Sequence, residues 1–229
     1  MKDVPADQPE GLCIAATPPR EDARDAFVSE AFAAFADLPS GARLGTASLR
    51  RQAQALALRP DLQIEMLRGN VDTRLRKLAD GAFDAILLAV SGLNRLGFEA
   101  VIRERLSLDA FLPAPGQGAL ALQTRVEDAG AVWVPALNDP ATALAVAAER
   151  GAMTALEGSC RTAIGAHADI AAGRLRLTTE MLAPDGSARW RRAGEMDITG
   201  SGALEQARAL GLRLGAEVHA AAGDQRVGP

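Results

Sequence analysis

The apolar positions of this chain change rhythm along its length. Between residues 43 and 104, short apolar runs alternate with stretches in which apolar residues recur every three or four positions. RLGTAS (43–48) reads as a strand and passes into LRRQAQALAL, where Leu49, Ala53 and Leu56 share a helical face. LQIEML (62–67) is the next strand, after a break at Pro60-Asp61. Asn70 caps the helix expected to follow, which carries Val71, Leu75 and Leu78 on one face, and Gly81 closes it. DAILLAV (84–90) is continuously apolar, the pattern of a parallel strand buried on both faces. This β-α-β-α-β order predicts a small doubly wound α/β domain, in which ligands sit where strands end and helices begin.

SGLNRLGFEAVIRERL (91–106) predicts helix in two pieces split by Gly97, and LPAPGQGALALQTR (112–125) predicts a Pro/Gly loop feeding a strand. Asp139 as cap and Pro140 in the first helical position open a long helix that runs to Gly158. On it, Glu149-Arg150 is spaced with Ala145 and Met153 as one exposed edge. Past this helix the rhythm becomes alternating. AIGAHADI and RLRLTTEML read as antiparallel strands, APDGSARW carries a turn, and residues 201–221 form a closing helix. The last third is therefore expected to be a compact α+β module.

Composition narrows the function. Charges, Gly or Pro interrupt every apolar run well short of the roughly 20 residues a membrane span needs. The opening MKDVPADQPEG lacks a secretory signal's basic start and apolar stretch, so a cytoplasmic protein is expected. Two cysteines, Cys13 and Cys160, suit that compartment and give no disulfide framework. A net charge of −4 argues against a general nucleic-acid or membrane-surface binder, which needs a basic field. His167 and His219 stand in no ligand spacing, so no metal site is expected. Gly116-Gln117-Gly118 precedes a strand rather than a helix, which discounts a dinucleotide site.

Of 25 basic residues only Lys2 and Lys77 are lysines. A GC-rich coding sequence accounts for that bias but not for where the arginines fall. Ser48-Leu49-Arg50-Arg51, Arg68-Gly69-Asn70-Val71-Asp72-Thr73-Arg74 and Ser91-Gly92-Leu93-Asn94-Arg95 each place guanidinium groups near a strand-to-helix junction. The helix dipole disfavours arginine at such a start, so three together point to an anionic ligand, and solvated arginines beside ordinary caps are the plainer account of any one. Cys13 lies in apolar GLCIAAT and reads as core. Cys160 follows the long helix in a loop beside Arg161, and a neighbouring cation favours the thiolate.

MKDVP (1–5), REDARDAFVS (20–29), GTASLRRQAQ (45–54), LRGNVDTRLRKL (67–78), DAILLAVSGLNRLG (84–97), LPAPGQGALALQ (112–123) and LEGSC (156–160) together resemble the porphobilinogen deaminase (hydroxymethylbilane synthase) family, in its order. The resemblance implies a transferase of tetrapyrrole, and hence haem, biosynthesis. Such an enzyme condenses four porphobilinogen units on a dipyrromethane cofactor, acting as a cytoplasmic monomer without nucleic acid or membrane. It implies two periplasmic-binding-protein-like α/β domains and a small α+β domain: here 19–112, a remnant of the other at 1–18 with 113–140, and 141–229. It implies a thioether from Cys160 to the cofactor and a catalytic Asp3. Lys2, Ser48, Arg50, Arg51 and Arg74 are implied as cofactor contacts, and Arg68, Gly69, Asn70 and Arg95 as substrate contacts. The family's chain continues before MKDVP with most of its first domain, so the sequence is expected to be an N-terminally truncated product or one with a misassigned start, and a protein of these 229 residues alone is expected to show little or no turnover. The alternative reading is a non-enzymatic α/β module that binds a small anion, which would have no use for Cys160.

Overall fold

A computed structural model of the chain describes residues 1–5, 8–156 and 163–223. Cys160 and Arg161 lie outside the described residues. The first strand, β1 (Leu12–Ala16), pairs antiparallel with a later one, and β2 (Asp25–Val28), β3 (Arg43–Thr46), β4 (Gln63–Met66), β5 (Ala85–Ala89) and β6 (Glu104–Arg105) build a five-stranded sheet. Helices α1 (Leu49–Leu58) and α2 (Val71–Ala79) follow β3 and β4, and a short α3 (Val90–Arg95) follows β5. The partner of β1 is β7 (Leu122–Arg125). After the single turn α4 (Val134–Leu137), the chain forms the long α5 (Pro140–Leu156), the three-stranded meander β8 (Ala163–Ala171), β9 (Arg174–Leu182) and β10 (Arg189–Asp197), and the closing α6 (Ala203–Ala222).

The five-stranded sheet runs β4-β3-β5-β2-β6, with β3 parallel to both β4 and β5 and β2 antiparallel to β5. The chain winds from β3 outward to β4 and then back across β3 to β5, so the order reverses beside β3, where a doubly wound sheet opens its crevice. Alternation along the strands fixes the two faces. On one, Phe27, Leu44, Ala85 and Leu87 pack with Phe35 and Phe111, the phenyl rings meeting edge to face. On the other, Ala26, Val28, Ile86 and Leu88 pack against Leu78, Phe83 and Leu93 beneath α2 and α3. Because β2 runs antiparallel, its first residue, Asp25, stands opposite Ala89 at the carboxyl end of β5. An acid is thereby placed at the crevice.

The helical periodicity of 91–106 breaks down after α3. Residues 99–101 form a single 3₁₀ turn and Glu104–Arg105 join the sheet edge as β6, so the second predicted helical piece is not formed. Arg103 N and Leu106 N donate to Phe27 O and Asp25 O, pairing that outweighs one marginal turn of helix. In the last third, α5 and α6 approach closely through Gly151, Gly211 and Gly215, and a Cβ added at Gly211 would overlap the carbonyl of Ala148. This helix pair covers Leu175 and Leu177 of the meander. The meander's far end lies on α1, where Ala53 packs with Ala163 and Leu182 and the turn glycine Gly186 sits against the α1 backbone. Helix α1 is thus held between two sheets.

Candidate active site

The start of α1 is the electrostatic centre of the molecule. Ser48 caps the helix, accepting from Arg51 N at 3.4 Å, and Arg50 and Arg51 turn inward, only 5% and 7% exposed. The sequence suggests two guanidinium groups displayed at a helix start; both are instead packed around the fully buried Asp25. Arg50 Nη1 donates to Asp25 Oδ2 at 2.7 Å, while Arg51 Nε and Nη2 donate to Oδ1 at 3.0 and 2.8 Å. Gln117 Nε2 adds a bond to Oδ1 at 2.8 Å. Burial alone would push the Asp25 carboxyl up, but the two guanidinium groups overcome it and hold the acid well below its usual range. Burial also lowers the Arg51 pKa, offset in part by Asp25 and reinforced by the nearby charges of Arg50 and Arg74.

Charge counting in this cluster decides its character. One carboxylate faces two buried guanidinium groups, with the charge of Arg74 acting on Arg51, and Arg50 Nε is buried without a hydrogen-bond partner. A buried net positive charge is costly unless an anion completes it. The cluster therefore fits a carboxylate-bearing ligand.

A second group surrounds a cavity of about 470 Å³ lined by Lys2, Asp3, Ser91, Asn94 and Arg95 together with Gly116 and Gly118. Asp3 is exposed and pairs with Lys2 Nζ at 2.9 Å. Its loop is held from behind: Arg150 on α5 donates to Val4 O at 3.1 Å and to Pro5 O at 2.5 Å. Ser48, Arg50, Arg51, Arg68 and Arg74 do not line this cavity. The loop 113–119 joins the two groups. Gly116 and Gly118 line the cavity, both in left-handed conformations, and a Cβ on Gly118 would overlap Glu21 O; between them Gln117 sends its side chain to Asp25.

Arg68, Gly69 and Asn70 stand exposed at the start of α2, where Asn70 caps Thr73 N at 2.9 Å and Arg74 Nε donates to Gly69 O at 2.7 Å. Arg68 and Arg95 have no acidic partner among the described residues. Cys13 lies half-buried in β1, its Sγ 3.7 Å from Thr124 Oγ1.

Glu149 corrects the expectation of an exposed helix edge. It is fully buried and accepts from Arg20 Nη1 at 2.5 Å, Arg20 Nη2 at 3.1 Å, Gly116 N at 2.6 Å and Ala168 N at 2.8 Å. Helical spacing alone placed it wrongly, because α5 is enclosed on more than one side. Asp25, Gln54, Gln117, Glu149 and Glu180 are the polar residues that sequence reasoning missed. Their only local sign was an acid or amide set among small or apolar neighbours, as in DAFV and GQG.

Comparison with known proteins agrees with this chemistry. Residues 1–132 match the family described as porphobilinogen deaminase, dipyromethane cofactor binding domain, and residues 143–220 match porphobilinogen deaminase, C-terminal domain. A porphobilinogen deaminase of Caulobacter vibrioides is 61% identical over 229 residues, spanning 100% of this chain and 71% of that protein. Those of Phenylobacterium zucineum and Sorangium cellulosum are 56% and 50% identical, over 98% and 95% of this chain and 70% and 72% of theirs. Among solved structures, a nutrient-binding protein from Burkholderia cenocepacia bound to methionine aligns with 56% of this chain and 61% of its own at a TM-score of 0.38 and 18% identity, too distant to bear on function. No helix among the described residues is long and apolar enough to cross a membrane. These matches do not favour the non-enzymatic anion-binding alternative. The chain belongs to the porphobilinogen deaminase family, transferases that act on porphobilinogen, use a dipyrromethane cofactor and build hydroxymethylbilane in tetrapyrrole synthesis.

Proposed function

We propose that the two arginine groups divide the work of this reaction, with Arg50, Arg51, Arg74 and Ser48 holding the carboxylates of the cofactor and Arg68, Arg95, Gly69 and Asn70 receiving those of substrate and growing chain. The observation that carries the reading is the uncompensated positive charge around Asp25, beside the unpartnered Arg50 Nε. Each pyrrole brings two acidic side chains, and a guanidinium fork binds a carboxylate through two parallel bonds. The bound cofactor supplies an electron-rich pyrrole carbon for bond formation, tethered by a thioether that we assign to the thiolate of Cys160.

Asp3 is the catalytic carboxylate in this proposal. When the aminomethyl C–N bond of porphobilinogen breaks and ammonia leaves, positive charge develops on the substrate's pyrrole nitrogen. A fixed anion at the cavity wall stabilises that charge, and Lys2 beside it takes part in holding cofactor carboxylates. Arg150 anchors the Asp3 loop through two backbone carbonyls. As domains we propose residues 1–18 with 113–140, 19–112 and 141–229. The β1–β7 pairing, the five-stranded sheet and the meander with its helix pair support this division.

Two measurements test the proposal. Intact mass should show a dipyrromethane adduct that disappears in Cys160→Ser. Asp3→Asn should abolish porphobilinogen consumption while the adduct remains. An adduct that survives Cys160→Ser would remove the thioether assignment, and unchanged turnover in Asp3→Asn would remove the catalytic one.

A further inference from the structure

We infer that Gln54 is a positioning residue for Arg50, anchored from the C-terminal meander by Glu180. The inference rests on the reading of Arg50 as a cofactor-carboxylate ligand. Gln54 lies one turn beyond Arg50 on α1 and is fully buried. Its Oε1 accepts from Arg50 Nη1 at 2.9 Å, and its Nε2 donates to Glu180 Oε1 at 2.7 Å and to Leu112 O at 2.8 Å. Leu112 O also accepts from Arg50 Nη1 at 2.9 Å. Glu180, fully buried in β9, turns its other oxygen to Arg191 Nε at 2.8 Å and lies 3.5 Å from Arg189 Nε.

The residue type at 54 follows from its neighbours. A side chain between a guanidinium and a carboxylate must accept on one side and donate on the other, and among side chains of this length only an amide does both. Its orientation is fixed, since the reverse would set NH₂ against a cation and oxygen against an anion. Glutamate would face Glu180 as a like charge. Methionine keeps the shape and deletes both bonds.

The result is an unbroken polar line, Asp25–Arg50–Gln54–Glu180–Arg191, from the crevice end of the five-stranded sheet to β10. With Nη1 held by Asp25, Gln54 and Leu112 O together, the guanidinium is fixed in one orientation, the one that leaves Nε without a partner. Gln54 thereby fixes the orientation in which the Arg50 guanidinium would meet a ligand carboxylate. The C-terminal meander, through Glu180, takes part in shaping a site it does not itself line.

The test compares cofactor loading, read as the fraction of purified chains carrying the dipyrromethane mass, in wild type, Arg50→Lys, Gln54→Met and the double variant, with thermal unfolding of each. Arg50→Lys and Gln54→Met are each expected to reduce loading by about tenfold, the scale of one lost hydrogen bond to a charged group. The double variant should load no worse than Arg50→Lys alone, because Gln54 acts through Arg50. Glu180→Gln, which keeps an oxygen for Gln54 Nε2, should load like wild type, whereas Glu180→Leu should match Gln54→Met. Wild-type loading in Gln54→Met, or losses that multiply in the double variant, would overturn the inference. If Gln54→Met does not fold, wild-type loading in a folded Glu180→Leu overturns it from the other end. If Arg50→Lys itself loads normally, the fault lies in the proposed ligand role of Arg50.

Discussion

Two groups of arginines stand around the helices that follow β3, β4 and β5, and the molecule uses them in opposite ways. At α1, Arg50 and Arg51 are buried around Asp25, which is held ionised by them. Arg68, just before the α2 cap, and Arg95, in the last turn of α3, are exposed and have no acidic partner among the described residues. The same local pattern therefore yields a rigid, desolvated charge centre in one place and adaptable, screened charges in the other. On the proposed reading, in which pyrroles are added one at a time to a tethered primer, the division is chemically sensible. A permanent ligand suits preorganised buried donors, and a lengthening chain suits side chains able to move.

The sharpest way to break this contrast is to remove the internal counter-ion. Asp25→Asn leaves two buried guanidinium groups facing a neutral amide and should cost about 3–5 kcal/mol, a large share of a domain's total, measured by denaturant unfolding. Next in size, Arg95→Ala should leave the unfolding midpoint unchanged while raising KM for porphobilinogen about tenfold, the loss of one charge-assisted contact. Its binding contribution is exposed to screening, so wild-type KM should rise with ionic strength more than that of Arg95→Ala. Arg150→Met should lower kcat several-fold with a small change in KM, because it loosens the Asp3 loop and not a substrate contact.

The smallest effects concern pH. Asp25 has a depressed folded-state pKa, so its contribution is complete above the unfolded value near 3.8 and declines as pH falls below it; acid should unfold wild type more steeply than Asp25→Asn. His167 is also depressed, chiefly by burial. A partly buried imidazole with a lowered pKa makes the unfolded state the better proton binder, so stability should fall modestly as pH drops through the unfolded value near 6.5, and His167→Gln should flatten that slope.

Much of the fold was legible because periodicity reports burial one element at a time. The continuous apolar run of β5, the Asn70 and Asp139 caps and the alternation of β8 and β9 all fall where the pattern places them. Failures came where a distant segment decided the outcome. Residues 104–105 became a strand because β2 offered an edge, and Glu149 went inside because Arg20, Gly116 and Ala168 converge on it. The arginines were visible as a group, yet their split into buried and exposed sets was not, since it depends on Asp25 arriving from a strand that runs against its neighbours.

Glu149 has one more consequence. The chain passes between the five-stranded sheet and the rest of the molecule twice, near Arg20 and near Gly116, and both passages end on the same carboxylate. That acid works as a hinge pin. A rotation that keeps both passages close to α5 preserves these bonds, whereas a translation apart would strip the Arg20 and Gly116 donors from a buried charge. A shift of the sheet relative to α5 should therefore be cheaper as a turn about Glu149 than as a separation from it.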